Sequence, residues 1–395
     1  MIETELILTI LIFWVIVFII GRWKKVKQKG LEVKPFFIMY KTNRINDFLD
    51  RLSSHKKFWN VFAKLSIFIS VIAMIFALTF LLRNLYNYLF LKSEGFAQVA
   101  LLLPGVTIQT PTALTNFFLS LPFILIIHEG AHGIIARLEK IKVKSGGILL
   151  LVTLIGAFVE PDQEEFKKAR NSSKLKVFAA GSSANIIFSF IILIFLTLTP
   201  TFAPALPNEV RTIFYNEPSG LLVRIILPNS PAENSGLEVN DVIIEVNDRK
   251  IKTLEDYINL NLEPNQLIKL RVLRGGSSIL LNVETIPSQI NKSRGIIGFG
   301  GITFYPPRLF PNGIYWPMPI ALFLFWVWFL SFNIGLFNML PIYPLDGDGF
   351  INAILSSKFS DRNRKVLRVI INVFTMLLLA INLLISIINY GLLTI

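Results

Sequence analysis

Two histidines and a glutamate stand together in an otherwise apolar stretch, in the order His128-Glu129-Gly130-Ala131-His132. Helical spacing of four residues puts the two imidazoles on one face, a turn apart, so both can reach a single Zn²⁺ at about 2.0–2.1 Å. Glu129 lies about 100° around the helix, where it can hold and deprotonate a zinc-bound water instead of binding the metal. The pattern predicts a hydrolytic zinc site.

A catalytic zinc site needs a third protein ligand beside one open position. The chain has no cysteine, and its remaining histidine, His55, stands in a basic loop. The third ligand must therefore be a carboxylate. Asp346, in the stretch FNMLPIYPLDGDG, is the predicted ligand, and Asp348 is the second choice. The alternative is that this stretch is only a polar turn at the end of a helix.

Two asparagines also lie in apolar surroundings, Asn185 in AAGSSANIIFSF and Asn338 just before Pro341. Preorganised amide donors can hydrogen-bond a substrate backbone or stabilise an oxyanion in acyl hydrolysis. Either asparagine could equally hold two membrane helices together. Both interpretations stay open for both residues.

The composition indicates which elements carry these side chains. Of the 395 residues, 53% are hydrophobic and only 16% are charged, which is typical of a chain with lipid around several segments. About 20 apolar residues are needed to cross a bilayer. Six stretches predict spans, near residues 4–21, 60–82, 115–136, 175–198, 318–340 and 366–390. The N-terminal apolar run begins at Ile2, contains Glu3 and Glu5, and is expected to be a retained anchor.

A seventh apolar stretch, residues 146–159, is short and interrupted by glycine (GGILLLVTLIGAFV). Non-helical backbone is tolerated at membrane depth only where protein or a water-filled cavity satisfies its hydrogen bonds. The stretch is therefore predicted to be a re-entrant hairpin that walls an active-site cavity.

The net charge of +13 comes largely from short loops beside apolar runs, so it indicates orientation against lipid and not nucleic-acid binding. Basic residues cluster after the first, third and fifth predicted spans, which places these loops in the cytoplasm and both termini outside. The three clusters lie in residues 22–57, 137–144 and 358–365.

Residues 207–287 alternate polar with β-branched residues and contain turn signals at Pro228, Asn229 and Asn247-Asp248. They predict a soluble α+β domain on the outer side. The Gly/Pro-rich residues 288–317 predict a structured linker.

Taken together, HEGAH on a membrane helix, the later FNMLPIYPLDG, and Gly181 followed by Asn185 on the helix between them resemble the site-2 protease family of intramembrane zinc metalloproteases. The resemblance covers residues 115–200 and 318–350. It implies His128, His132 and Asp346 as ligands of one Zn²⁺, Glu129 as general base and Asn185 as a substrate-facing group.

Two positions depart from the family pattern. Ser182 follows Gly181 where many members have proline, and Asp348 stands where glycine is common. Neither is expected to touch a ligand.

The outer domain resembles a PDZ domain, on the stretch SPAENSGLEVNDVIIEVNDRKI (residues 230–251) and the strands after it. Such domains bind extended peptides or chain ends by strand addition, here expected along Ser219 to Ile225. The alternative is a steric gate that excludes bulky substrates.

The expected fold is a polytopic α-helical membrane protein, with about six transmembrane helices plus a re-entrant hairpin and an inserted soluble α+β PDZ-like domain. The expected parts are N-terminal spans with a basic loop (1–114), the first part of the protease core (115–200), the PDZ-like domain (207–287), the linker (288–317), and the second core part with the last span (318–395).

The resemblance implies a metalloendopeptidase of the cell membrane that cuts transmembrane protein substrates, with its active site towards the cytoplasm. Membrane lipid and a peptide ligand of the PDZ-like domain are further expected partners. The alternatives are an aspartyl protease, for which no other span supplies a second aspartate, a transporter or channel with a buried charged pathway, and an inactive PDZ-bearing scaffold.

Overall fold

The computed structural model describes residues 12–19, 21, 30–91, 95–151, 154–289, 291–308 and 316–394. Residues 12–19 are helical, and the rest of the first predicted span, apart from Gly21, lies outside the described residues, as do Arg22 to Lys29. The further helices in chain order are α1 (Ile45–Ser53), α2 (Lys56–Phe90), α3 (Pro111–Leu138), α4 (Gln163–Lys168), α5 (Asn171–Thr197), α6 (Asn208–Phe214), α7 (Pro231–Asn234), α8 (Leu254–Ile258), α9 (Met318–Asn338), α10 (Asp346–Ser356) and α11 (Asp361–Tyr390). A 3₁₀ helix spans Pro200–Ala205.

Within the described ranges, five helices are long and apolar enough to cross a membrane: α2, α3, α5, α9 and α11. They contain the second to sixth predicted spans. The predicted count of six spans goes beyond these five, because the remaining span is the one that is only partly described.

Local sequence signals explain where the helix that carries HEGAH begins. Thr110 is in extended conformation and its side-chain oxygen accepts a hydrogen bond from Ala113 N, while Pro111 takes the first helical position. Both features favour a helix start, since the first turn has unpaired N–H groups and proline lacks one. The helix then runs unbroken through His132 to Leu138.

The strands in chain order are β1 (Leu31–Lys34), β2 (Phe37–Thr42), β3 (Val143–Leu151), β4 (Leu154–Pro161), β5 (Gly220–Ile226), β6 (Val242–Val246), β7 (Arg249–Lys250), β8 (Leu267–Arg274), β9 (Ser277–Glu284), β10 (Ile286–Pro287), β11 (Gly295–Ile296) and β12 (Phe299–Phe304). The predicted hairpin at 146–159 is confirmed and is longer at both ends, because β3 and β4 pair antiparallel from Val143↔Pro161 to Leu151↔Leu154.

This hairpin belongs to a four-stranded sheet of order β1-β2-β3-β4. Residues 31–42 were expected to be part of a basic loop, yet they form β1 and β2, which pair with each other and then with β3. Each of these two strands mixes polar with apolar residues, and neither contains a fully buried side chain. Helix α1 follows, and its Leu49 is fully buried against α3.

The chain divides into two compact units, Met1–Phe190 with Trp326–Ile395, and Ile191–Phe325. The second unit contains a six-stranded sheet of order β12-β5-β6-β8-β9, with β7 on β6. Its core consists of fully buried aliphatic side chains from these strands, among them Leu221, Val223, Ile243, Ile268 and Leu270.

The expected peptide groove along Ser219 to Ile225 is wrong. Strand β5 pairs with β12 on one side, from Gly220↔Phe304 to Ile226↔Phe299, and with β6 on the other. Strand β12 comes from the GFGG stretch that was predicted to be linker, and it occupies the edge that a peptide would need. Among the described strands, β12 itself lies at the edge of this sheet.

Candidate metal centre

Helix α3 places its two histidines side by side in the interior of the first unit. Both side chains are buried, their ring centroids are 4.8 Å apart, and the distance between His128 Nε2 and His132 Nε2 is 3.3 Å. The four-residue spacing therefore brings the two ring nitrogens to one point, as a shared metal requires.

Asp346 joins them from the first turn of α10. Its Oδ2 lies 3.3 Å from His128 Nε2 and 3.2 Å from His132 Nε2. The following Gly347 allows this approach, since a Cβ at that position would overlap the main-chain oxygens of Met339 and Leu340. The glycine after the aspartate is thus required by close backbone packing and not by a turn.

These distances fit a zinc ion. A tetrahedral site with bonds of about 2.0–2.1 Å holds its ligand atoms roughly 3.3 Å from one another, and the three separations in the structure are 3.2, 3.3 and 3.3 Å. Gly181 of α5 faces the cluster, where a Cβ would overlap His132 Nε2. The donor set is two imidazoles and one carboxylate, a combination found in catalytic zinc sites.

A main-chain oxygen selects the tautomer of His132. Its Nδ1 lies 2.7 Å from the carbonyl oxygen of Val177 on α5. A carbonyl can only accept, so Nδ1 carries the proton and Nε2 presents its lone pair to the metal position. No side chain marks this contact, so the sequence contained no signal for it.

Asn185 lies behind His128 and is fully buried. Its Nδ2 is 3.3 Å from His128 Nδ1, and its Oδ1 is buried without a hydrogen-bond partner among the described residues. Rotating the amide by 180° lets Oδ1 accept from His128 Nδ1–H, and His128 Nε2 is then free to bind a metal. Asn185 is also tied to α9, since Ser331 Oγ donates to its main-chain oxygen over 3.0 Å.

Ser182 contacts the carboxylate that was predicted to be a ligand. Its hydroxyl donates to Asp346 Oδ2 over 3.2 Å. The expectation that Ser182 touches no ligand is therefore wrong. The sequence marked this residue only as a departure from the family pattern, and the fold turns it towards Asp346.

Asp348 is separated from the histidines by its own ion pair. It accepts hydrogen bonds from the guanidinium of Arg368 and from Asn372 Nδ2, both on α11. The structure thus brings Asp346 to the histidines and places Asp348 against another helix. Spacing along the sequence could not make this choice, because both residues lie in the first turn of α10.

Glu129 stands beside the three candidate ligand atoms, on the wall of a cavity of about 480 Å³. Its Oε2 accepts a hydrogen bond from Val159 N on β4 over 3.0 Å. Asn338 also lines the cavity, while Asn185 is not among the described residues of its wall. The described residues that line the cavity are Leu125, His128, Glu129, His132, Val159, Pro161, Gln163, Phe166, Val177, Phe178, Ile334, Asn338, Pro344, Leu345 and Asp346.

Chemically, this arrangement offers three metal-binding atoms, an adjacent carboxylate able to accept a proton, and a cavity bordered by the backbone of a strand. Such a combination is suited to metal-assisted hydrolysis.

Similar proteins were found among curated sequences. An uncharacterized protein of Methanocaldococcus jannaschii is 34% identical over 62% of this chain and 58% of its own length. A protein of Clostridium perfringens named provisionally as a zinc metalloprotease is 25% identical over 41% of this chain and 51% of its own. The "probable protease eep" of Enterococcus faecalis is 24% identical over 50% and 54%. The chain thus spans between half and three fifths of the length of these relatives.

Among solved structures, the PDZ domain of an SdrC-like protein from Listeria monocytogenes matches 21% of this chain and 87% of its own, with 17% identity and a TM-score of 0.20. The family model of Peptidase family M50 matches residues 116–381, which contain both histidines, Glu129 and Asp346. That range is well over half of the chain, and the chain belongs to Peptidase family M50.

Proposed function

We propose that the chain is a zinc metalloendopeptidase that hydrolyses peptide bonds of transmembrane proteins inside or at the edge of the bilayer. The observation that carries the proposal is the meeting of His128, His132 and Asp346 at tetrahedral ligand separations, with Glu129 beside them on one cavity. Helix α3, which carries both histidines and Glu129, is one of five in the described ranges that could cross a membrane.

His128 Nε2, His132 Nε2 and Asp346 Oδ2 would hold one Zn²⁺ per chain. When bound, zinc lowers the pKa of water and polarises a carbonyl group. The chain's own contribution is to keep both Nε2 atoms unprotonated, through Val177 O and the Asn185 side chain, and to leave the fourth side open to the cavity.

Glu129 would act as the general base. It takes a proton from the attacking water as the new C–O bond forms, and passes it to the leaving nitrogen as the C–N bond breaks. Its hydrogen bond from Val159 N restrains the carboxylate beside the metal position. A positioned base of this kind contributes about 10²- to 10⁴-fold in rate.

The substrate would bind in extended form. A transmembrane helix hides its carbonyl groups in i to i−4 hydrogen bonds, so it must unwind before hydrolysis. In the described sheet, β4 is an edge strand and Val159 N already points away from β3 to Glu129. By the two-residue period of a strand, Ala157 N points the same way and would pair with the substrate.

The two asparagines would serve the same reaction differently. Asn338 lines the cavity and could hydrogen-bond the substrate backbone or the developing oxyanion. The family resemblance implies that Asn185 faces the substrate. Its complete burial and its contact with His128 Nδ1 favour a different role, in which the amide orients the His128 ring.

The protein would be a multi-pass protein of the cell membrane, with this centre towards the cytoplasm and the PDZ-like unit outside. The basic clusters favour this orientation: α2 begins at Lys56, α3 ends one residue after Arg137, and Arg137 pairs with Asp50 of α1 over 3.2 Å. The PDZ-like unit would then bind a peptide or chain end, or act as a gate.

The test is a metal count and a cleavage assay on the purified full chain in detergent, with a tagged single-span substrate. We expect one zinc per chain, and cleavage that stops with phenanthroline and returns with added zinc. The His132→Ala variant should lose both zinc and cleavage, while His55→Ala, outside the centre, keeps both. A zinc-free wild type that mediates flux across vesicles would favour a transporter, and zinc-free peptide binding would favour a scaffold.

A further inference from the structure

The segment that carries Asp346 is held on both sides by one face of α11. Before Asp346, the N–H of Tyr343 donates to Asn372 Oδ1 over 2.6 Å. After it, Asp348 Oδ1 accepts from Arg368 Nε over 2.7 Å and from Asn372 Nδ2 over 2.9 Å, and Asp348 Oδ2 accepts from the Arg368 Nη2 group. Two side chains of α11 therefore bind the residues three before and two after Asp346.

These contacts restrict how far the first turn of α10 can move relative to α11. Arg368 and Asn372 are four residues apart, so they share one face of α11. The pairing of the guanidinium with Asp348 is bidentate, which sets direction as well as distance. The side chain of Asp348 is only 3% exposed, and a buried carboxylate is costly unless it is paired. The first turn of α10 therefore has one favourable position relative to α11.

Neither Arg368 nor Asn372 is among the described residues that line the cavity. Their contacts with the segment that carries Asp346 are instead to Tyr343 and Asp348, on either side of Asp346. Within this segment Asp346 supplies Oδ2 to the cluster, where separations of 3.2 and 3.3 Å leave little tolerance.

We propose that Arg368 and Asn372 are positioning residues that hold Asp346 at the metal position, so that the C-terminal helix α11 determines how tightly the centre retains zinc. The inference rests on the proposed function, since it takes Asp346 as a zinc ligand. It also gives a role to Asp348, one of the two departures from the family pattern.

The test measures zinc retention in the purified full chain by competition with a colorimetric chelator, together with kcat and KM for the single-span substrate. Arg368→Gln should weaken zinc retention by about 10- to 100-fold, the effect typical of residues that orient metal ligands. At saturating zinc, kcat should fall and KM should change little. Arg368→Lys should restore retention only partly, because lysine cannot form the bidentate pair.

The matched control is Arg364→Gln, one turn earlier on α11, whose partner Asp361 is exposed. It should retain zinc as the wild type does. Should Arg368→Gln fail to fold, Asn372→Ala keeps the ion pair but loses the Tyr343 contact, and should still weaken retention.

Equal zinc retention in Arg368→Gln, Asn372→Ala and Arg364→Gln, in a wild type that binds zinc and cleaves, would overturn this inference alone. A wild type that binds no zinc would instead overturn the proposed function.

Discussion

At the scale of single residues, Ser182 and Ser183 are neighbours with different partners. Both are fully buried, but Ser182 donates to Asp346 Oδ2 whereas Ser183 donates to Ser66 O on α2. We expect Ser182→Ala to weaken zinc retention about tenfold, since a ligand carboxylate loses a hydrogen bond that orients it. Chelator competition measures this, and Ser183→Ala is the control. Equal retention in both variants would contradict a role for Ser182.

Residues of the candidate metal centre could be predicted where both the residue type and the spacing along a helix point to metal binding. Two histidines at helical spacing, with a glutamate beside them in an apolar stretch, predict a metal-binding site. The sequence favoured Asp346 over Asp348, but it could not show where Asp348 binds instead, because Arg368 is 20 residues away and nothing in its surroundings marks it as the partner of Asp348. The contacts of Val177 and Ser182 likewise depend on how α5 is turned.

At the scale of elements, strand β4 is predicted to bind the unwound substrate. Ala157→Pro removes the N–H that points away from β3, while Ala157→Val keeps it and is the control. Loss of one main-chain hydrogen bond is worth about 0.5–1.5 kcal/mol, so cleavage of an intact single-span substrate should fall roughly 2- to 10-fold in the proline variant.

Short flexible peptides, which need no unwinding, should be cut nearly as well by both variants. An equal loss on both kinds of substrate would speak against strand pairing.

Helix α8 of the second unit begins with a capping box, in which Thr253 Oγ1 accepts from Asp256 N and the Asp256 carboxylate accepts from Thr253 N. Main-chain N–H groups of Lys252 and Thr253 hold the pKa of Asp256 below its usual range. The unfolded chain binds the proton more tightly, so this stabilisation is present above about pH 4 and is lost as the pH falls through the lower folded-state pKa.

We expect Thr253→Ala to destabilise α8 by about 1 kcal/mol. Hydrogen exchange of residues 254–258 should show lower protection in this variant at pH 7, and in the wild type below pH 4. Asp256→Asn should lose the acid dependence. Protection in Asp256→Asn that falls with acid as in the wild type would show that another group is responsible.

Elements marked by their own sequence were predictable. Strands that form by pairing with another strand, without a clear signal in their own sequence, were not. The five described membrane-length helices and the hairpin follow from apolar length and glycine punctuation. Strands β1 and β12 did not, because the short stretch LEVK and the glycine-containing stretch FGGITF form strands by pairing with β2 and β5. Because β12 pairs with β5, the edge of β5 along which a peptide groove was expected is occupied.

At the scale of the whole molecule, the orientation of the chain in the membrane can be tested with introduced cysteines. The chain has no cysteine of its own, so a thiol reagent labels this protein only at the introduced position. Ser54 and Ser278 are both exposed, one after α1 and the other in β9. With the centre towards the cytoplasm, a membrane-impermeant maleimide should label Ser278→Cys on intact cells, and Ser54→Cys only after permeabilisation. Labelling of both sites on intact cells would contradict the proposed orientation.

The central claim is that Glu129 moves the proton for zinc-assisted peptide hydrolysis, and one measurement tests it most directly. Cleavage of a tagged single-span substrate is compared between wild type and Glu129→Gln in detergent, with zinc counted in each sample. We expect the variant to keep one zinc per chain and to lose cleavage by about 10²-fold or more. Cleavage that persists in a zinc-loaded Glu129→Gln protein would contradict the account.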